Sequence, residues 1–212
     1  NFGSNDYLGL AADARISEAV RKALATVGWG AGASPLISGH TEFHEALRDD
    51  LAKYEGTEAA CLFSSGFAAN AGSLPTLVDE SDAIFADRKN HASLIDACRL
   101  SRAQVFIYRH CDVEHLESLL RRAAQFRRRL IVTDSLFSMD GNFAPLVEIA
   151  SLRDRYGCML MVDEAHATGV FGPTGRGISE LLGVEDAVDI KVGTLSKALG
   201  CAGGFVCGST PL

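Results

Sequence analysis

The chain has 212 residues, 47% of them hydrophobic and 22% charged, which is a globular composition with length enough for a full core. A formal charge of −7 gives no electrostatic attraction to nucleic acid or to an anionic membrane surface. No run approaches the roughly 18 uninterrupted apolar residues of a membrane span, and no basic-then-apolar leader opens the chain, so a soluble protein is expected.

In chain order, the apolar positions Ile16, Ala19, Val20, Ala23, Leu24 and Val27 repeat with helical spacing. Phe43, Leu47, Leu51 and Tyr54 repeat in the same way behind Thr41 as an N-cap. Short β-rich runs then alternate with helical patterns. The predicted strands are Ala60–Phe63, Ala83–Ala86, Val105–Tyr108, Leu130–Thr133, Met159–Val162, Ile190–Gly193 and Phe205–Cys207. Predicted helices cover 67–77, 91–100, 112–125, 145–156 and 177–182, with Pro145 in a first turn. This alternation predicts an α/β fold, a mostly parallel sheet with helices on both faces. The link from Lys197 to Phe205 is too short for a helical crossover, so the last strand is expected to run antiparallel. Residues 1–40 read as a segment leading into a large domain over 41–212, and both ends of the sequence read as cut.

The six cysteines, at 61, 98, 111, 158, 201 and 207, form no CxxC pair and lie mostly in apolar runs, predicting reduced core residues and a cytoplasmic protein. Arg127–Arg129 reads as a solvated helix end or loop. Histidines 40, 44, 110 and 115 form no compact set with His91 and His166, and no HExxH occurs, so no metal site is expected.

Ligands of such sheets gather beyond the carboxyl ends of the strands, and polar residues cluster there. Ser64-Ser65-Gly66-Phe67 could offer backbone N–H groups to a phosphate, or be an ordinary serine-capped β-to-α turn. Asp163 closes one strand with His166 three residues on, either as a titratable pair at one site or as a helix cap with its partner. His91 opens a helix, as a cap residue or a ligand. Lys197 lies in the small-residue run Ser196–Gly204, where a buried amine can lose its proton and act as nucleophile or base. A phosphate turn, a strand-end aspartate and a sequestered lysine together are what pyridoxal 5'-phosphate requires.

Asn1–Leu10, Gly66–Asn70, His91–Leu94, Phe137–Gly141, Val162–His166 and Gly193–Gly200 resemble, in order and over nearly the whole chain, the α-oxoamine synthases. That resemblance implies the large domain of an aspartate-aminotransferase-like, fold-type I transferase, which condenses an amino acid with an acyl thioester and releases carbon dioxide. Gly172–Gly177 and Gly193–Gly200 look most like the biotin-pathway branch, which uses L-alanine and a pimeloyl thioester carried by coenzyme A or a carrier protein. By matching position, Lys197 would carry pyridoxal phosphate as a Schiff base, Asp163 would pair with its ring nitrogen and His166 would meet its phenolic oxygen. His91 would stack on the ring and face the substrate. Gly66, Phe67 and Thr194 would hold the phosphate, Ser138 would touch the cofactor, and Asn5 would hold the substrate carboxylate. The resemblance also implies a homodimer with its active site at the interface. It places a C-terminal domain with a carboxylate-binding arginine beyond Leu212, so that this stretch alone would not catalyse. The rival readings are a glycine- or serine-using acyltransferase or aminotransferase of the same fold, and a non-catalytic partner subunit. A generic nucleotide-binding domain fails for want of GxGxxG or GxxxxGK[ST] after a strand.

Overall fold

A computed structural model of the chain describes residues 2–210; Asn1, at the head of the first motif, and Pro211 and Leu212 lie outside the described residues. Its strands are β1 (Ala59–Phe63), β2 (Ala83–Asp87), β3 (Gln104–Tyr108), β4 (Arg129–Asp134), β5 (Met159–Asp163), β6 (Ile190–Thr194) and β7 (Gly204–Gly208). Its α-helices are α1 (Ala14–Val27), α2 (Glu42–Glu55), α3 (Gly66–Leu77), α4 (Ala92–Leu100), α5 (Val113–Arg122), α6 (Leu146–Tyr156) and α7 (Ile178–Leu181). The strands form one sheet in the order β1-β7-β6-β5-β4-β2-β3. As the short final link demands, β7 runs antiparallel to both its neighbours, while β6, β5, β4, β2 and β3 pair in parallel.

Strand side chains point alternately to the two faces, and each face has its own core. Phe85, Ile131, Leu160 and Val162 pack on one side with Leu116 and Leu120 of α5 and Leu146 and Ile149 of α6. Ile84, Leu130, Val132, Met161 and Val192 pack on the other with Ala69 and Leu74 of α3 and Leu94 of α4. The register explains the rows, since Phe85 pairs with Ile131 and Ile131 with Leu160. α2 covers the β1–β7 end with Leu51 and Ala52 against Phe205. A buried ion pair ties α2 to β6, with Lys191 Nζ 3.0 Å from Glu55 Oε2 and 2.9 Å from Glu185 Oε1.

Three expectations are corrected. Pro145 is the N-cap of α6 rather than a residue of its first turn. Cys98, Cys158 and Cys207 are buried, but Cys61 and Cys201 are exposed and Cys111 half-buried; all six are free thiols. The arginine run is a solvated loop only as far as Arg128: Arg127 and Arg128 are exposed, with Arg127 reaching Asp79 at 2.6 Å and the buried Asp82 at 2.8 Å, but Arg129 is half-buried and starts β4.

Candidate active site

Three parallel strands end in polar residues that meet at one edge of the sheet: Asp134 on β4, Asp163 on β5 and Thr194 on β6. Asp134 and Asp163 are register partners, so two buried carboxylates stand side by side. Burial first, and then the charge of Asp163, push the Asp134 carboxyl well above the ordinary carboxylate range. Asp134 keeps a structural task as well, accepting the His91 N–H at 2.7 Å and so fixing the start of α4.

Asp163 is held at both oxygens: Oδ1 accepts the Ala165 N–H at 2.9 Å, and Oδ2 accepts from Asn70 Nδ2 at 2.7 Å. The capping reading of Asp163 is not realised: its Oδ1 closes a turn at Ala165, the next helix is α7 at Ile178, and His166 pairs with Tyr7 instead. Asn70 gives its second amide proton to Ser93 Oγ at 2.9 Å, and Ser93 Oγ lies 2.7 Å from His91 Nδ1. Because the Ser93 N–H also points at Nδ1 (3.2 Å), that nitrogen accepts and the ring proton belongs on Nε2. The chain of contacts orients both Asp163 and the exposed His91 ring, which borders a cleft of about 500 Å³ with Asp134 and Ser138.

Lys197 follows β6 at this edge, near enough to feel Asp163 and Asp134; burial pulls its amine toward the neutral form while the two carboxylates oppose that. His166 faces the same space, and burial, then Lys197 and His91, hold its imidazole down at about 4. Its Nδ1 lies 2.7 Å from the Tyr7 hydroxyl, which is also 3.4 Å from Asn5 Oδ1, so Asn5 joins the site through Tyr7. A titration of His166 by NMR is expected to find it still neutral at pH 6, below the ordinary histidine midpoint; a midpoint near 6.5 would contradict this environment.

The turn before α3 is built for an anion. Ser65 caps the helix, with Oγ accepting the Ala68 N–H at 3.1 Å and its carbonyl the Ala69 N–H at 2.9 Å. The N–H groups of Gly66 and Phe67 have no partner among the described residues. The turn lies directly on β7: a Cβ on Gly204 would come within 2.4 Å of the Ser65 backbone. Thr194 sits beside Gly66, with its hydroxyl donating to Gly203 O at 2.9 Å. Ser138 is exposed on the loop after β4, bordering the cleft.

All the predicted site residues within the described chain lie along this edge. Asp134, Asn70 as the Asp163 partner, Ser93 and Tyr7 were not singled out, although Asp134 closes a predicted strand just as Asp163 does. Glu164, next in sequence to Asp163, is turned away: Oε2 accepts from Ser135 Oγ and the Ile178 N–H (3.0 Å), and Oε1 accepts the Ser179 N–H at 2.9 Å. Since both oxygens face donors, Glu164→Gln sets an amide NH₂ against an N–H; chemical denaturation is expected to show a loss of about 1.5–3 kcal/mol, and an unchanged midpoint would exclude that role.

A mostly parallel sheet with helices on both faces, and a lysine and an aspartate at the carboxyl ends of its strands, defines the large domain of a fold-type I transferase. The chain belongs to the aminotransferase class I and II family, whose model matches residues 1–212. It is 56% identical over 212 residues to the 8-amino-7-oxononanoate synthase of Anaeromyxobacter sp. (strain Fw109-5), covering 100% of this chain and 53% of that protein. The serine palmitoyltransferase structure from Sphingomonas wittichii superposes with a TM-score of 0.95 at 40% identity, covering 99% of this chain and 52% of that one. An SPT structure with PLP as internal aldimine superposes with a TM-score of 0.96 at 36% identity, over the same shares of the two chains. The chain spans about half the length of the curated relatives it matches.

Proposed function

We propose that the protein is a pyridoxal-phosphate-dependent acyltransferase that condenses L-alanine with a pimeloyl thioester, as in biotin biosynthesis. The observation that carries the reading is the half-buried Lys197 amine within electrostatic reach of the doubly held Asp163 carboxylate, at the same strand ends as an anion-ready turn. The residues fit the cofactor. The free N–H groups of Gly66 and Phe67, beside Thr194, suit its phosphate, and the carboxylate of Asp163 suits a protonated ring nitrogen. His91 and His166 would flank its ring, with Ser138 at the rim of the clefts that each of them lines. When bound, pyridoxal phosphate supplies an electron sink for a carbanion beside the amino group.

The chain's own residues do the rest. Lys197 Nζ, biased toward its neutral form, takes the α-proton of the amino acid and returns a proton at the end. Asp163 would present its carboxylate to a ring N–H, and the Asn70 amide prevents it from swinging away. Tyr7 engages Nδ1 of the neutral His166, leaving Nε2 for the cofactor, and Asn5 stands by for the substrate carboxylate. The name of the 56% identical relative fits this chemistry: alanine without its carboxylate supplies the terminal methyl and amine-bearing carbons, and a pimeloyl chain the remainder. The thioester carrier is coenzyme A or a carrier protein.

On this reading residues 41–212 are the cofactor-binding domain, entered through 1–40, and the enzyme works in the cytoplasm as a homodimer whose active site lies at the subunit interface. The structural likeness to a serine palmitoyltransferase favours serine as the second candidate substrate. The test is the visible spectrum of the cofactor-loaded protein on separate addition of alanine, serine and glycine. Alanine alone should perturb the band and give carbon dioxide with pimeloyl thioester; turnover with serine and a long acyl thioester instead would overturn the assignment.

A further inference from the structure

A second cluster of chemically active side chains lies outside the residues used above, under the loop from Phe137 to Phe143. Asp87 ends β2, and His110 and Cys111 follow β3, its neighbour in the sheet. One ligand atom from each of the three lies within 4.8 Å of the other two. His110 Nδ1 is 2.9 Å from Asp87 Oδ1, and Cys111 Sγ is 3.7 Å from His110 Nδ1 and 3.6 Å from Nε2.

The backbone builds this cluster. Consecutive residues in extended chain point to opposite sides, which would part His110 from Cys111. Cys111, however, has φ of 53°, the one left-handed non-glycine residue among those described, and the turn swings its sulfur back over the imidazole. Asp87 is locked beneath them: Oδ2 accepts the Cys111 N–H at 2.8 Å and Oδ1 the Lys89 N–H at 2.8 Å. The Asn142 side chain closes the remaining side, with Oδ1 3.4 Å from His110 Nε2 and Nδ2 3.4 Å from Cys111 Sγ. His110 also stands edge-on to Phe137, with ring centroids 4.5 Å apart.

We propose that Asp87, His110 and Cys111 form a binding site for a divalent ion of the zinc class. A thiolate, an imidazole and a carboxylate are the donor set that zinc takes, and the weaker oxygen-only ions do not. Bonds of about 2.0–2.3 Å to a tetrahedral ion put its ligands about 3.3–3.8 Å apart. The sulfur–imidazole spacing already meets that range, and the carboxylate–imidazole spacing reaches it by opening a few tenths of an ångström. His110 must turn about its Cβ–Cγ bond to aim a nitrogen, with Asn142 or a water as fourth ligand. The expectation of no metal site rested on histidines alone; here one histidine is joined by a neighbouring cysteine and an aspartate from an adjacent strand.

The test is anaerobic titration of the reduced, tag-free, cofactor-loaded protein with Co²⁺, followed at wavelengths beyond the cofactor band, where tetrahedral cobalt absorbs. One equivalent per chain should saturate the signal, and Zn²⁺ should abolish it. Cys111→Gly removes the thiol while suiting the left-handed backbone, so the folded variant should lose the signal. Cys61→Ser, which removes an exposed thiol on β1, should keep it. No tetrahedral signal in the unmodified protein, or an undiminished one in Cys111→Gly, would overturn the site.

Discussion

Lys197→Ala is expected to lower the proposed condensation by about three orders of magnitude or more, because it removes the group that both attaches the cofactor and moves the α-proton. The fold should survive: the side chain lies in a run of small residues, and alanine leaves no buried donor unpaired. Electrostatics changes in a predictable direction. The Lys197 amine is one of the groups holding the Asp134 carboxyl down, so its loss pushes Asp134 further toward the protonated form. Borohydride reduction of the unmodified protein should fix cofactor mass to the peptide containing Lys197, and the variant should yield none. Lys197→Arg should not rescue, since a guanidinium cannot give up its proton near neutral pH. Activity of the alanine variant within tenfold of the original would remove Lys197 from the mechanism.

How far the sequence alone reaches is clear from particular strands. Each predicted strand lies within one residue of the observed one at either end, because the apolar runs are short and bounded by turn residues. Within them the two faces were not legible. In Leu130–Thr133 every residue is buried, so no polar alternation shows that Leu130 and Val132 face α3 and α4 while Ile131 faces α5 and α6. Nor was the order in which β2 lies between β4 and β3 readable from local pattern. The site divides along the same line. Asp163 and Lys197 announce themselves because strand-end position is a local property. The Asn70–Asp163 bond joins residues 93 apart in the chain, and the Tyr7–His166 contact joins residues 159 apart; both follow from tertiary packing that no local motif encodes. Asp134 was within reach, since the same strand-end rule applies to it.

Asp163→Asn is expected to lower turnover by about 10²- to 10⁴-fold while the cofactor stays bound, because shape is kept and only the charge is lost. The replacement oxygen can still accept the Ala165 N–H, but its new NH₂ group meets the Asn70 amide donor. To avoid two facing donors, Asn70 must turn its oxygen toward residue 163, which withdraws its proton from Ser93 and loosens the serine that sets His91. Two effects therefore combine, loss of charge beside the ring nitrogen and loss of orientation at His91, and the double variant Asp163→Asn, Ser93→Ala should be less than additive. Removing the Asp163 charge also withdraws a cause of the raised Asp134 carboxyl, which should move back toward the ordinary range. The readouts are kcat against cofactor occupancy by absorbance, measured on the same samples. Full occupancy with turnover within tenfold of the original would show that no charge is needed at Asp163. Loss of occupancy would assign Asp163 to binding alone.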